Sequence, residues 1–568
     1  IFDWVRFLSH TIKLPDILAA VSDQRRQIPV IGLMQDVPLS IPMILDRAAT
    51  LGHAMKIVSA TPAGVDHKTW PDVTDRALRL AAALDTLGVP KGASVGSFAW
   101  NGHRHLELYF GVPCSGRVLH TINVRLHPDV VSYVVAHAND SVVFVDASLT
   151  SVLAPLRDRL DVRAFVVMED GGEIDPAFAG DPRYEELIGS ETPAETVNVD
   201  ENDAASICFT SGTTGRPKAV VYSHRSVVLH SMGELMVDGH AIRRGDVILP
   251  LTPMIHVNCW GLPYTAGLAP ASLVFAGADT SPSAAASLIE SERPNVLAGI
   301  PTFWVQMDSA FSSGEYDLSS VERILCGGAE AAPALIERYT DRGLDFFHGW
   351  GMTEMSPSGT GNWIRAHSDD VEHGAKQGVP APTVQMRIVS DDGTVLPWDS
   401  ESVGEIQVKG PWVAAAYLDP ADGANEERFV DGWLRTGDVG RVAPDGTLEI
   451  VDRTKDLIKS GGEWISSVEL ERHLAAHPAV AEVAVVAVPH DRWGERPAAL
   501  VVLREGSEAG VDELLQFVST RVASWQVPDR VELVDSLPKT GVGKIDKRRL
   551  RNEIVPGLFS ATEPERTP

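Results

Sequence analysis

Thr210-Ser211-Gly212-Thr213-Thr214-Gly215-Arg216-Pro217-Lys218 is the stretch on which the reading of this chain turns. It follows an apolar run, 204–209, that the pattern predicts as a buried strand. It precedes 224–237, where Val227, Val228, Met232, Leu235 and Met236 recur at helical spacing. Four hydroxyls, two glycines and a lysine are thus expected in a strand-to-helix loop. Glycine lets the backbone come close to a ligand and turn its N–H groups inward. The hydroxyls donate to anionic oxygens, and the lysine brings a mobile positive charge. Such a loop suits a polyphosphate. It is not a Walker A loop, because no Gly-Lys-Ser/Thr follows a Gly-x4 spacing. A Gly/Thr/Ser surface turn is the competing reading, and the nine-residue order ending in Pro217-Lys218 argues against it.

Working outward, helical spacing dominates 39–87, with Ile41, Ile44, Leu45, Ala77, Leu80 and Leu84 in phase. Strand candidates then alternate with helices at 94–99, 117–121 and 141–145, and again at 246–251, 272–275, 296–298 and 323–325. That alternation predicts α/β layers with mainly parallel sheets. Over 384–450 the texture changes to short strands (385–389, 404–409, 446–451) separated by Asp-Gly turns at 392–393, 431–432 and 445–446. A small antiparallel barrel or sheet is expected there. Beyond Asp452-Arg453-Thr454-Lys455 the pattern gives helix 468–476, strand 482–488, helix 510–523 and strand 530–534, a small α+β domain. The division read from this is 34–452, a 453–456 hinge, 457–552, and a flexible tail at 553–568 rich in Pro, Glu and Thr. Residues 1–33 lack the features of a signal peptide. They are read as an extension ahead of a start at Met34, a genuine amphipathic extension being the other possibility.

At 568 residues the chain is too long for one core. Its 44% hydrophobic and 22% charged content is ordinary for a globular protein. The formal charge of −28 argues against general binding to nucleic acid or anionic membrane, though not against a local cationic pocket. Cys114, Cys208, Cys259 and Cys326 show no C-x-x-C spacing, which suits a reducing cytoplasm and disfavours a zinc site. No apolar run approaches the roughly 18–20 residues of a spanning helix.

Further motifs follow the loop in order: Trp350-Gly351-Met352-Thr353-Glu354, Thr436-Gly437-Asp438, and Asp452-Arg453-x-Lys455-Asp456. Then come Lys459-Ser460-Gly461-Gly462-Glu463-Trp464-Ile465-Ser466 and Pro538-Lys539-Thr540-Gly541-x-Gly543-Lys544. Over roughly residues 35–552 the chain resembles the acyl-adenylate-forming superfamily, and within it the medium- and long-chain fatty-acyl-CoA synthetases. The resemblance implies that ATP activates a carboxylic acid as acyl-adenylate and that CoA then accepts the acyl group, with Mg²⁺ as cofactor. It implies that Thr210, Ser211, Gly212, Thr213, Thr214, Gly215 and Lys218 hold phosphates and that Thr210 and Glu354 hold the metal. Thr353 is expected at the α-phosphate, and Asp438 with Arg453 at the ribose. Gly328, Ala329 and Glu330 are expected to line the adenine slot, with Gly351 beside it and Trp350 stacked on the base. Many relatives carry tyrosine at this last position.

Lys544 is expected to bridge the acid and the α-phosphate, as the glycines around it allow a tight approach. Lys455 falls at the hinge, about which the small domain is expected to rotate between half-reactions. Lys459 and Trp464 are implied as nucleotide contacts; a tryptophan packed at a domain seam is the plainer alternative. In Pro253-Met254-Ile255-His256-Val257-Asn258-Cys259-Trp260, the resemblance places His256 by the acid's carboxylate, Trp260 as gate of the acyl tunnel and Gly328 against the substrate. Ile255 stands where relatives commonly have an aromatic residue. Nothing cationic appears in this segment to meet a second carboxylate, so an apolar monoacid is favoured. Relatives of this branch often dimerise through the N-terminal domain, which makes a homodimer an expectation here. Two other readings remain open: an adenylating enzyme that serves a carrier-protein thiol or another acceptor, and a nucleotide-binding regulator without catalysis. The intact Lys544, Glu354 and loop argue against the second. Ala219 replaces the glycine often found after the loop's lysine.

Overall fold

The computed structural model describes residues 33–558 apart from 211–215, 369, 421–422, 462, 505 and 540–544. The strand Ala204–Phe209 lies in a six-stranded sheet whose order is Ala164–Met168, Asp140–Asp146, Ser94–Phe98, Val118–Thr121, Ala204–Phe209 and Ala219–Ser223. Every neighbouring pair is parallel except the last. The expected strand-to-helix loop is therefore the turn of a β-hairpin, Ala204 pairing with Ser223 and Phe209 with Ala219. The β-branched and aromatic residues Val220, Val221 and Tyr222 extend the chain as a strand. The helix His224–Leu235 begins only after Ser223 caps it through Ser226 N–H.

A nine-stranded sheet carries the rest of the α/β pattern. Its central strands, from Asp345–Gly351 through Arg323–Gly327, Val296–Gly299, Val247–Pro250 and Ser272–Phe275 to Lys56–Thr61, are parallel, and both edges end in antiparallel strands. Side chains alternate between its faces with the period of two that a pleated strand imposes. Ile57, Leu273, Ile248, Val296 and Leu325 enter one core, while Val58, Val274, Leu249, Leu297 and Ile324 enter another. The first core is shared with the six-stranded sheet through Leu119, Val142 and Phe144 and with the helices Ile41–Leu51, Trp70–Thr86 and His103–Cys114. Helices thus cover both faces of both sheets, as parallel strands require.

The reading of 39–87 as helical needs correction. The hairpin Lys56–Thr61/Gly64–Thr69 separates the two helices and forms an edge of the large sheet. Thr69 then opens the second helix with a capping box to Asp72.

The antiparallel expectation over 384–450 is met by a five-stranded sheet, in which Trp433–Val442 pairs with Gly404–Lys409, Phe429–Val430 and Leu448–Arg453. Its turn Asp431-Gly432 has φ of 53° and 76°, the two left-handed residues a tight hairpin needs. The smaller C-terminal domain holds Val480–His490 and Gly494–Leu503 at its centre, with the helices Ser467–Ala475 and Val511–Ser519 packed on one side.

Candidate active site

Ligands of open parallel sheets gather outside the carboxyl ends of the strands, and the predicted residues gather there. Thr210 follows Ala204–Phe209, His256 lies just past Val247–Pro250, Gly328 follows Arg323–Gly327, and Thr353 and Glu354 follow Asp345–Gly351. All of them line one cavity of 480 Å³ with Lys218, Trp260, Trp350, Gly351, Arg453 and Lys455. Thr210 and Lys218 pin the loop's two ends together. Thr210 N–H donates to the Lys218 carbonyl at 2.9 Å, and Lys218 N–H to Thr210 Oγ1 at 3.1 Å. Ser211, Gly212, Thr213, Thr214 and Gly215 lie outside the described residues.

Glu354 is buried, and Tyr417 donates its hydroxyl to Glu354 Oε1, with the Arg428 guanidinium 4.0 Å from the same oxygen. Burial, and then the Glu354 carboxylate, push the Tyr417 phenol well above its ordinary value, so it stays a donor. The Lys218 ammonium stands 5.8 Å from the Tyr417 ring centre. Tyr222 holds the Thr353 carbonyl at 2.6 Å. Tyr417, Arg428 and Tyr222 escaped the sequence reading. A lone tyrosine closing the small-residue run Ala414-Ala415-Ala416 was the available signal for the first; the others carry none.

A second cavity, of 300 Å³, adjoins the same residues. Gly328, Ala329 and Glu330 contribute to its wall with Trp350, Asp438, Arg453 and Lys455. Burial raises the Glu330 carboxyl. Trp350 Nε1–H donates to Asp438 Oδ2 at 2.8 Å, and Arg453 Nε is 3.1 Å from Oδ1. Asp438 and Arg453 are register partners across the antiparallel sheet, which is why their side chains meet. Lys544 lies outside the described residues, but Ile545, Asp546 and Lys547, which follow it, line this cavity. Lys547 is held by Glu471 Oε1 and Ser467 Oγ, each at 2.7 Å. Burial, and then Arg453, bring the Lys455 amine down to about 8. Lys459 and Trp464 sit on the hairpin Ile458–Ser460/Glu463–Ile465, the ammonium 4.4 Å from the ring centre. Neither of them lines either cavity.

The segment carrying His256 and Trp260 has an unusual backbone. Val257, Asn258, Cys259 and Trp260 have φ of 43°, 49°, 55° and 57°, and Gly261 follows at 74°. A left-handed residue other than glycine costs about 1–2 kcal/mol, so the turn must be held by its surroundings. Asn258 Nδ2 donates to Ser206 Oγ at 3.0 Å, and Cys208 Sγ to Asn258 Oδ1 at 3.3 Å. The turn leaves Trp260 beside Cys326, Gly327 and Phe347 on the cavity wall. The cationic lining comes from the loop hairpin and from the stretch that includes the antiparallel sheet, as Lys218, Arg428, Arg435 and Arg453. Of the apolar lining, Val257, Trp260, Cys326 and Phe347 come from the large sheet and this turn, while Tyr417 and Ala424 come from the stretch before Phe429–Val430.

The chain matches a family model described as AMP-binding enzyme over residues 46–418, and the corresponding C-terminal domain model over 469–544. It is 41% identical over 543 residues to a 3-methylmercaptopropionyl-CoA ligase of Ruegeria lacuscaerulensis, spanning 93% of this chain and all of that one. It is 40% identical to a long-chain-fatty-acid–CoA ligase of Thermus thermophilus, over 92% of this chain and 96% of the relative. Among solved structures, an anthranilate CoA ligase in complex with anthranoyl-AMP superposes with a TM-score of 0.82 at 25% identity, covering 93% of this chain and 100% of the other.

Proposed function

Because the chain belongs to the AMP-binding enzyme family and is an acid–CoA ligase, we propose that its substrate is an apolar monocarboxylic acid, a medium- or long-chain fatty acid or one of similar character. The observation that carries this reading is that one cavity sets six arginines and lysines, with only Glu354, Glu405 and Glu427 against them, beside an apolar group of Val257, Trp260, Cys326 and Phe347. A carboxylate oxygen of the acid attacks the α-phosphorus of ATP, the bond to the β-phosphate oxygen breaks, and pyrophosphate leaves. The sulfur of CoA, having given up its proton, then attacks the acyl carbon, and AMP leaves with the electrons of the carbon–oxygen bond. Both steps depend on positioning and on offsetting negative charge.

In this proposal Lys218 and the loop hold the phosphates, Thr353 meets the α-phosphate, and Asp438 with Arg453 holds the ribose. Lys544 bridges the reacting groups, and His256 faces the acid. Glu354 is a single carboxylate, and among the described residues no three His, Cys, Asp or Glu side chains form a metal cage. That donor set fits Mg²⁺, which takes one or two carboxylates together with phosphate oxygens and water. When bound, the ion neutralises phosphate charge. We place the enzyme in the cytoplasm, where four free, buried cysteines are at home. Among the described residues no helix is long and apolar enough to cross a membrane. A homodimer through the N-terminal domain belongs to the same proposal and is checked by light scattering.

The test is AMP release with ATP, Mg²⁺ and CoA across acetate, 3-(methylthio)propanoate, octanoate, palmitate and cinnamate. A maximum at octanoate or palmitate supports the reading. A maximum at 3-(methylthio)propanoate would favour the short thioether acid that the Ruegeria relative's name prints, and a maximum at acetate or cinnamate would refute both.

A further inference from the structure

The helix His224–Leu235 buries polar residues where its sequence pattern predicts methionines. Met232 and Met236 are 44% and 42% exposed, whereas His230 and Glu234 are 2% exposed. Glu234 binds three polar groups at once. Its Oε2 meets His240 Nδ1, its Oε1 accepts the Ser358 hydroxyl, and His230 Nε2 is 3.2 Å from Oε1. Burying a carboxylate and two imidazoles is expensive, and apolar residues of similar volume would pack there at least as well. Two members of the cluster, His240 and Ser358, line the 480 Å³ cavity that also holds His256 and Trp260.

His240 is held on every side. Its ring stands edge-on to Phe347, centres 5.0 Å apart at 90°. Trp363 Nε1–H grips the Gly239 carbonyl at 2.8 Å, and Arg323 grips the Ala241 carbonyl at 2.7 Å. His240 Nδ1 is in ion-pair contact with Glu234 Oε2, although neither atom has a hydrogen-bond partner of ordinary geometry among the described residues, and the ring's other polar atom is Nε2. A carboxylate against one nitrogen of a histidine limits how the ring can turn, an arrangement used where the other nitrogen must meet a ligand.

We propose that the Glu234–His240 pair is a recognition point for a hydroxyl group carried on the chain of the acid. This rests on the acid–CoA ligase reading and narrows its substrate class. A hydroxyl fits because it donates to a neutral Nε2 and accepts from a protonated one. His240 is the contacting residue and Glu234 its positioning residue.

The experiment compares kcat/KM for octanoate and palmitate with that for their 3-hydroxy and terminally hydroxylated counterparts. A site that hydrogen-bonds a substrate hydroxyl rejects the analogue lacking it, so at least one hydroxy acid is expected to exceed its parent by about tenfold or more. The double variant Glu234→Gln/His240→Phe removes both halves of the pair, so no carboxylate is left unpaired, and is expected to bring that ratio to unity or below. His240→Gln keeps a polar group and is expected to retain part of the preference. The ratio is read within each variant, so general damage to folding does not move it, and the wild-type ratio stands without any variant. Parents preferred by the wild type, or a ratio the double variant leaves unchanged, would overturn the recognition point alone. No turnover of any acid would overturn the ligase reading beneath it.

Discussion

Asp438 holds two residues that line both cavities, since its carboxylate takes the Trp350 indole N–H on one oxygen and Arg453 on the other. Asp438→Ala leaves both donors without their anion. Losing a hydrogen bond to a charged group costs about 1.5–3 kcal/mol, so the KM for ATP is expected to rise roughly ten- to a hundredfold. Asp438→Asn, which can still accept from the indole, is expected to lose less. Steady-state titration with ATP decides it, and an unchanged KM for the alanine variant would remove Asp438 from the nucleotide site.

Lys455 makes a second prediction at this scale. Its amine, brought down to about 8 by burial and by Arg453, is cationic below that pH and neutral above it. If its charge serves the reaction, the rate falls as pH rises through about 8, and Lys455→Arg, which stays charged, moves that fall upward. Coincident profiles for the two enzymes would count against a catalytic charge at this position.

At the scale of the element, the left-handed turn over Val257–Trp260 shows how the site's shape is imposed. A Cβ on Gly261 would lie 2.6 Å from the His230 ring, at a φ of +74° that favours glycine. Gly261→Ala is therefore expected to lower stability by more than about 1 kcal/mol and to raise the KM for the acid, measured by denaturant unfolding and kinetics. Unchanged values for both would show the turn to be more pliable than its backbone implies.

Elements with a strong local period were legible in the sequence. Gln385–Val389, Gly404–Lys409 and Ser272–Phe275 stand where the pattern puts them. The hairpin Lys56–Thr69 was not legible, because its second strand, Gly-Val-Asp-His-Lys-Thr, sits on a sheet edge and has no apolar face to announce it. The loop hairpin was misread because Ala219–Ser223 runs straight into helical spacing. The site was legible where a motif kept its residues close in sequence. Tyr417, Arg428 and the His230–Glu234–His240 cluster come together only through tertiary packing, so no local pattern marks them.

At the scale of the whole molecule, Asp546 and Lys547 of the C-terminal domain line one cavity with Trp350 and Asp438 of the larger one and Lys455 of the stretch between them, so both domains contribute to the proposed nucleotide site. The two-step proposal gives these surfaces different duties. Lys544→Ala is expected to abolish adenylate formation while CoA transfer from supplied acyl-adenylate continues. Equal loss in both half-reactions would contradict a division of labour between the steps.

The central claim is that this chain makes a thioester at the expense of the bond between the α- and β-phosphates of ATP. Its most direct test is to quantify AMP, pyrophosphate and acyl-CoA in one reaction with octanoate, and again with acid or CoA left out. Equal amounts of the three products, all requiring the acid and with sustained AMP turnover requiring CoA, are what the account predicts. ADP with inorganic phosphate in their place, or AMP turnover without a thioester, would contradict it.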